Sequence, residues 1–229
     1  MKASDRAILG RTPMFRDVPP EICDRLSIGA FVQILPKGAL LFEQGGEAEF
    51  LHVLLEGRCG LVGARSDGEE CVVEIMHAGA AFILPAILLE APYLMSARVF
   101  EMSRIAMIPA GPLRRALENE PLLMRAAAID LARYWRVLVQ QIKDLKLRSA
   151  HERVAAHLST MCHQTCSGPV ILNLDEEFRS IAAKLGMTPE SWSRSIRQLE
   201  TVGVRIVGRR IEIEDIVRLR EFAGVDGLQ

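Results

Sequence analysis

The sequence predicts an α+β chain in three parts: an N-terminal β-roll, a long dimerisation helix and a C-terminal winged helix-turn-helix. Three observations predict it. Short apolar runs punctuated by glycine fill the chain to about residue 112, an unbroken seam of apolar residues follows, and a helix–glycine–helix pattern then leads into a basic hairpin. The corresponding domains are residues 1–112, 113–147 and 148–229.

The first part reads as strands. Runs such as Leu51–Leu55 and Cys71–Met76 alternate with glycines at positions 38, 57, 60, 63, 68 and 79. Short strands at that spacing build a barrel or roll. The period then changes. Pro121 opens a helix, with Asn119 or Glu120 as its cap. Met124, Ala128, Leu131, Trp135, Leu138, Ile142 and Leu145 follow at alternating spacings of four and three. No proline or glycine interrupts them, and the helix spans roughly 40 Å at about 1.5 Å per residue. A stripe this narrow suits a partner helix better than a broad core, so Leu131, Trp135, Leu138, Ile142 and Leu145 are the expected dimer contacts.

The third part returns to shorter elements. Ser149–Met161 reads as a helix, Val170–Leu174 as a strand, and Asp175 as the cap of a helix carrying Phe178, Ile181, Ala182 and Leu185. Gly186 ends that helix. The segment LGMTPESWSRSIRQLE then begins a new one, with Thr188 as N-cap and Pro189 in the first turn. Trp192, Ile196 and Leu199 recur at core spacing. Glu190, Ser193, Arg194 and Arg197 share another face. Alone, that polar face is as readily a solvated surface with a Glu190–Arg194 pair. The surroundings favour a reader of DNA. Ala182, four residues before Gly186, lets two helices cross closely. Between Arg194 and Arg210 there are five arginines and one acidic residue. VRIVGRRIEIE forms a hairpin at Gly208, so Arg209 and Arg210 reach phosphates. Arginine donates two bonds to guanine, glutamate accepts from cytosine, and serine serves either sense. Arg194 and Glu190 are thus expected base readers, Ser193 contacts an adjacent base or a phosphate, Arg197 is a backbone contact, and Thr188 at the helix start is counted among the DNA-binding residues. A last helix covers Ile216–Phe222.

Composition limits the alternatives. The chain has 229 residues, 49% hydrophobic and 25% charged, with a net charge of −1. That permits substantial cores but gives no overall basic field. No run of about 18 apolar residues is present, and MKASDRAILGRTPMF lacks a secretory apolar block. Five scattered cysteines suit a reducing compartment. These features place the protein in the cytoplasm, off the membrane. There is no nucleophile motif, P-loop or strong metal signature, so an enzyme is not expected. Cys162 and Cys166, near His157 and His163, have loose spacing and read as loop residues. The competing reading is a sensor module that acts through protein contacts; the basic wing argues against it.

LPKGALLFEQGGEAEFLHVLLEG (35–57), ERVAAHL (152–158) and TPESWSR (188–194), in this order, resemble the Crp–Fnr family of bacterial transcription regulators. The E-x-x-S-R of Glu190, Ser193 and Arg194 is similar to the Fnr-type reader. The run from Gln140 to Cys162 resembles the Dnr/NnrR branch, regulators of denitrification and the nitric oxide response. The resemblance implies a cyclic-nucleotide-binding-like roll. It also implies a homodimer on double-stranded DNA, a palindrome of TTGAT-like half-sites, and contact with RNA polymerase.

Two departures qualify it. Cyclic-nucleotide binders of this family carry a Gly-Glu pair and then an Arg-Ser pair whose arginine clamps the phosphate. Here those positions hold Leu84-Pro85 and Met95-Ser96, inside the apolar stretch AFILPAILLEAPYLMSAR. A phosphate there would lack its counter-charge, which argues against cyclic AMP. The expected effector pocket is Phe82, Leu84, Pro85, Met95 and Ser96, for a neutral, apolar or flat ligand. Secondly, Cys23 stands alone near the N-terminus, which argues against an iron–sulfur cluster. The cofactor stays unknown. The Dnr/NnrR resemblance implies haem, with His77 and His52 as candidate axial ligands; both read equally as ordinary roll histidines.

Overall fold

The structure is a computed structural model that describes residues 1–64, 70–162, 167–174, 178–208 and 210–224. It packs as two compact units, Met1–Arg136 and Val137–Gln229.

In the first unit, helices α1 (Ala3–Leu9) and α2 (Pro20–Ser27) precede eight strands: β1 (Phe31–Leu35), β2 (Leu40–Phe42), β3 (Phe50–Glu56), β4 (Arg58–Ala64), β5 (Glu70–His77), β6 (Ala81–Phe82), β7 (Ser96–Val99) and β8 (Ser103–Pro109). Helix α3 (Leu84–Leu89) interrupts the strands, and α4 (Ala110–Asn119) follows them. Two antiparallel four-stranded sheets form, ordered β1-β8-β3-β6 and β2-β7-β4-β5. The expected Leu51–Leu55 and Cys71–Met76 runs are β3 and β5.

The pleat of β3 sorts its side chains to two cores. Leu54 faces the roll interior with Ile105, Cys59, Leu61, Ala97 and Val99. Leu51, Val53 and Leu55 face the other way and pack with Ala106, Ile108, Leu113, Leu117 and residues of the N-terminal helices. Asp5 of α1 is buried, accepts from the Lys2 backbone N–H, and is ion-paired with Arg104 of β8, which also pairs with Glu56.

Four helices fall within or beside a segment expected to be strands. In α2, Ile22 and Leu26 are buried one turn apart behind Pro20 in the first turn. These are helical signals, but the strand-like runs just downstream overshadow them. The α3 sequence LPAILL is apolar throughout, so its period is unreadable. Residues 113–119 belong to α4, whose Leu113 and Leu117 are core residues. The long helix α5 (Pro121–Leu147) starts at the expected proline, after a non-helical Glu120.

The second unit contains the end of α5, then α6 (Ala150–Thr160), β9 (Val170–Asn173), α7 (Phe178–Lys184), α8 (Pro189–Leu199), β10 (Val204–Val207), β11 (Arg210–Ile213) and α9 (Ile216–Phe222). Ser149 caps α6 through a reciprocal pair with Glu152. The strands form a sheet ordered β10-β11-β9. Asp175 lies outside the described residues.

Gly57 makes the β3–β4 turn at φ +93°, where a Cβ would sit 2.6 Å from the Met102 carbonyl and 2.7 Å from the Ser103 Cα. Gly57→Ala therefore meets both strain and backbone clash. It should lower stability by at least about 2 kcal/mol, read as a lower urea midpoint at unchanged slope.

Candidate functional site

Helix α8 is fixed by its apolar side. Trp192, Ser195, Ile196 and Leu199 are buried in a core that also takes Ile181, Ala182, Val204, Ile211 and Ile213. Leu185 and Met187 pack against that core at its edge. The preceding turn closes in a Schellman arrangement: Met187 N–H donates to the Ala182 carbonyl and Gly186 N–H to that of Ala183, both at 3.0 Å. Gly186 has φ +61°, and a Cβ there would meet Leu145 Cδ2 at 2.7 Å. The glycine thus serves both the left-handed turn and the close approach of α5.

The opposite side of α8 is exposed and polar. Thr188 caps the helix, accepting the Ser191 N–H at 3.2 Å. Glu190, Ser193, Arg194 and Arg197 all stand in solvent on one face, as expected from their spacing. The Ser193 hydroxyl donates to the Pro189 carbonyl at 3.0 Å. Arg194 Nη2 donates to Ser191 Oγ at 3.2 Å. The carboxyl of Glu190 is held below its ordinary pKa, first by its own backbone N–H, with attraction from Arg194 and Arg179. Ser191 was absent from the sequence-based set of readers. Its position, three residues after the cap and three before Arg194, was the available signal.

Beside α8, β10 and β11 form the expected hairpin around Gly208, with Val207 paired to Arg210. Arg210 is exposed at the turn. Arg209 lies outside the described residues. Arg205 is ion-paired with Glu214 at 3.3 Å. An apolar-walled groove of about 280 Å³ runs along the helix between Phe178, Pro189, Trp192, Ser193, Ile196, Arg197 and Ile206.

The expected effector residues separate. Phe82 and Met95 belong to the roll interior, Leu84 packs in the other core, Pro85 is exposed, and Ser96 Oγ accepts the Gln44 N–H at 2.9 Å. An aromatic stack fills the interior: Phe42 on Tyr93 with centroids 4.0 Å apart, His52 on Phe82 at 5.4 Å, and Phe42 against His52 at 4.9 Å. Neither Phe42 nor Tyr93 was foreseen there. Arg98, near the missing clamp, makes two 3.1 Å bonds to Glu70. His52 is 1% exposed, and its Nδ1 has no partner. His77 is exposed at the end of β5. Of the two candidate haem ligands, His52 is thus enclosed by rings at contact distance and His77 faces solvent. Among the described residues, no three His, Cys, Asp or Glu side chains converge to hold a metal ion. Cys162 is buried in the second core; His163 and Cys166 lie outside the described residues.

Along α5, Leu131 packs against the first unit's core and Leu138 is half-buried. Trp135, Ile142 and Leu145 are 67%, 52% and 50% exposed, an apolar row without cover in the single chain. No helix among the described residues is long and apolar enough to cross a membrane.

A β-roll, a long helix and a capped reader helix beside a hairpin wing together define a DNA-binding regulator with a sensor-type domain. Comparison with known proteins agrees. The cyclic nucleotide-binding domain family matches residues 32–120, and the Crp-like helix-turn-helix domain family matches residues 152–222. The chain belongs to the Crp–Fnr family of transcription regulators. A CRP-like cAMP-activated global transcriptional regulator of Mycobacterium tuberculosis is 23% identical over 220 residues, covering 94% of this chain and 98% of that one. A Ruegeria pomeroyi structure, described as cyclic nucleotide binding, is 29% identical over 97% of this chain and 98% of its own, with a TM-score of 0.60. DNR from Pseudomonas aeruginosa shares the fold at 22% identity, 97% and 99% coverage and a TM-score of 0.54.

Burial pushes the His52 pKa down to about 4. The unfolded chain binds a proton near pH 6.5 and the folded one only near pH 4, so stability rises with pH between these values. Acidification through that window should cost on the order of 3 kcal/mol from this residue alone. His52→Phe should flatten the slope of unfolding free energy against pH between 6.5 and 4. An undiminished slope would assign the loss to other groups.

Proposed function

We propose that the protein acts as a homodimer on a palindrome of TTGAT-like half-sites, under control of an effector that is not a cyclic nucleotide. The exposed row Glu190, Ser193, Arg194 and Arg197, on a helix locked from behind, carries the reading. Arg194 takes the guanine of the half-site through O6 and N7, and Glu190 accepts from a cytosine amino group. With its proton committed to Pro189, Ser193 offers lone pairs and accepts from a base amino group. Arg197 and Arg210 contact phosphates, and Arg209 shares the wing sequence. RNA polymerase is the protein partner expected of a regulator of this family.

The apolar row on α5 supports dimerisation with a second copy: its spacing is that of a two-helix seam, and its most exposed members are large. The interior of the roll supports a neutral or apolar effector. Relatives of this chain are named as cAMP-activated. Here Met95 stands at the clamp position, Arg98 is engaged by Glu70, and the interior cluster is apolar around one neutral histidine. A phosphodiester enclosed there would have no counter-charge, at a cost of several kcal/mol.

Four measurements test these assignments. Sites selected from random duplex DNA by the full-length protein should be twofold-symmetric. Arg194→Ala should cost about 1–3 kcal/mol and relax preference at one base pair, whereas Arg210→Ala should weaken binding to all sequences and reduce the salt slope by about one. Equal losses on specific and random DNA for both variants would overturn the division of roles. Trp135→Glu and Ile142→Glu, at positions exposed in the single chain, should leave the fold intact and yield monomers by sedimentation; an unchanged dimer would place the interface elsewhere. Cyclic AMP at millimolar concentration should leave DNA affinity unchanged, and tight binding would refute the effector class.

A further inference from the structure

The cap of α8 is tied to its base reader through a side chain that the family motif leaves open. Ser191 is half-buried in the third position of the helix. Its N–H donates to Thr188 Oγ1 at 3.2 Å, and Thr188 Oγ1 donates in return to Ser191 Oγ at 3.3 Å. Arg194 Nη2 donates to the same Ser191 Oγ at 3.2 Å. A serine oxygen has two acceptor lone pairs, so these two donors fill both. The chain Thr188, Ser191, Arg194 therefore runs from the backbone of the helix start to the tip of the guanidinium.

We propose that Ser191 is a positioning residue, which holds the Arg194 guanidinium in the orientation that guanine recognition requires. The inference rests on the reading of Arg194 as the guanine contact. A free arginine at a helix surface samples many rotamers, and docking on a base must remove that freedom. Ser191 removes part of it beforehand. The bond uses one of five guanidinium N–H groups, which leaves four, enough for the two-bond contact to guanine O6 and N7. Ser193 is a poor substitute, because side chains one residue apart on a helix do not face each other, and its hydroxyl donates instead to the Pro189 carbonyl. Glu190 attracts Arg194 but, as an exposed carboxylate that is itself a reader, it leaves the guanidinium once a base amino group binds it.

The test uses the full-length protein, its selected site, the single-base-pair variants of that site, and random duplex DNA. Ser191→Ala should reduce discrimination at the base pair read by Arg194 about threefold to tenfold, with affinity for random DNA and the salt slope unchanged. Ser191→Thr, which keeps the oxygen, should restore discrimination. In the Arg194→Ala background, Ser191→Ala should have no further effect. Full discrimination in Ser191→Ala, equal loss on all DNA, or the same loss with and without Arg194 would each overturn the assignment. Failure of the wild-type protein to select any sequence would instead overturn the recognition reading itself, so the two failures are separable.

Discussion

The pairing of β3 with β8 is the constraint on which the first unit depends. Both strands are buried on both faces, so a single register decides two cores at once. Leu54 opposite Ile105 fills the roll, while Val53 opposite Ala106 and Leu51 opposite Ile108 receive the helices. A shift of one residue would exchange the two sets. It would also carry Arg104 away from Asp5, a buried carboxylate that cannot be left unpaired without a large penalty. Gly57 protects that register, because the turn it forms admits no side chain between β3 and the start of β8.

The same register aims His52 into the roll, and this bears on what the roll can sense. In a binder of charged ligands the interior must provide a fixed counter-charge. Here it provides rings and one imidazole that burial keeps neutral. The unpaired Nδ1 is the one described buried side-chain polar atom without a partner. A stack of rings can part for a ligand of its own character at modest electrostatic cost, and the imidazole nitrogen then offers an acceptor. It cannot part for a phosphate on those terms.

Much of the second unit was legible in the sequence, because each element carries a local signal. Ser149 with Glu152, Thr188 with Pro189, and Gly186 and Gly208 at positive φ mark its boundaries within a residue or two. Trp192, Ile196 and Leu199 mark its inner face. The first unit was legible in its strands but not in α3, where six apolar residues show no period. Nor was the aromatic stack legible. Phe42, His52, Phe82 and Tyr93 come from separate segments, and only the closure of two sheets brings them together. The expected effector residues follow from the spacing of a motif the chain lacks. Leu84 and Phe82 are two apart, yet α3 begins between them and sends them to different cores.

Helix α5 carries both core residues and an uncovered apolar row. Leu123 and Ala127 are buried in the first unit's core and Leu131 packs against it, so the helix is anchored at its start. Further on, the apolar residues lose that cover, and Trp135 and Ile142 remain exposed although they continue the same seam. Near the end, Leu145 lies against Gly186, in the turn that orients α8. A residue of the exposed row is therefore also a neighbour of the reader's turn. The approach is close because Gly186 has no Cβ, so the placement of Leu145 and the geometry of the turn constrain each other.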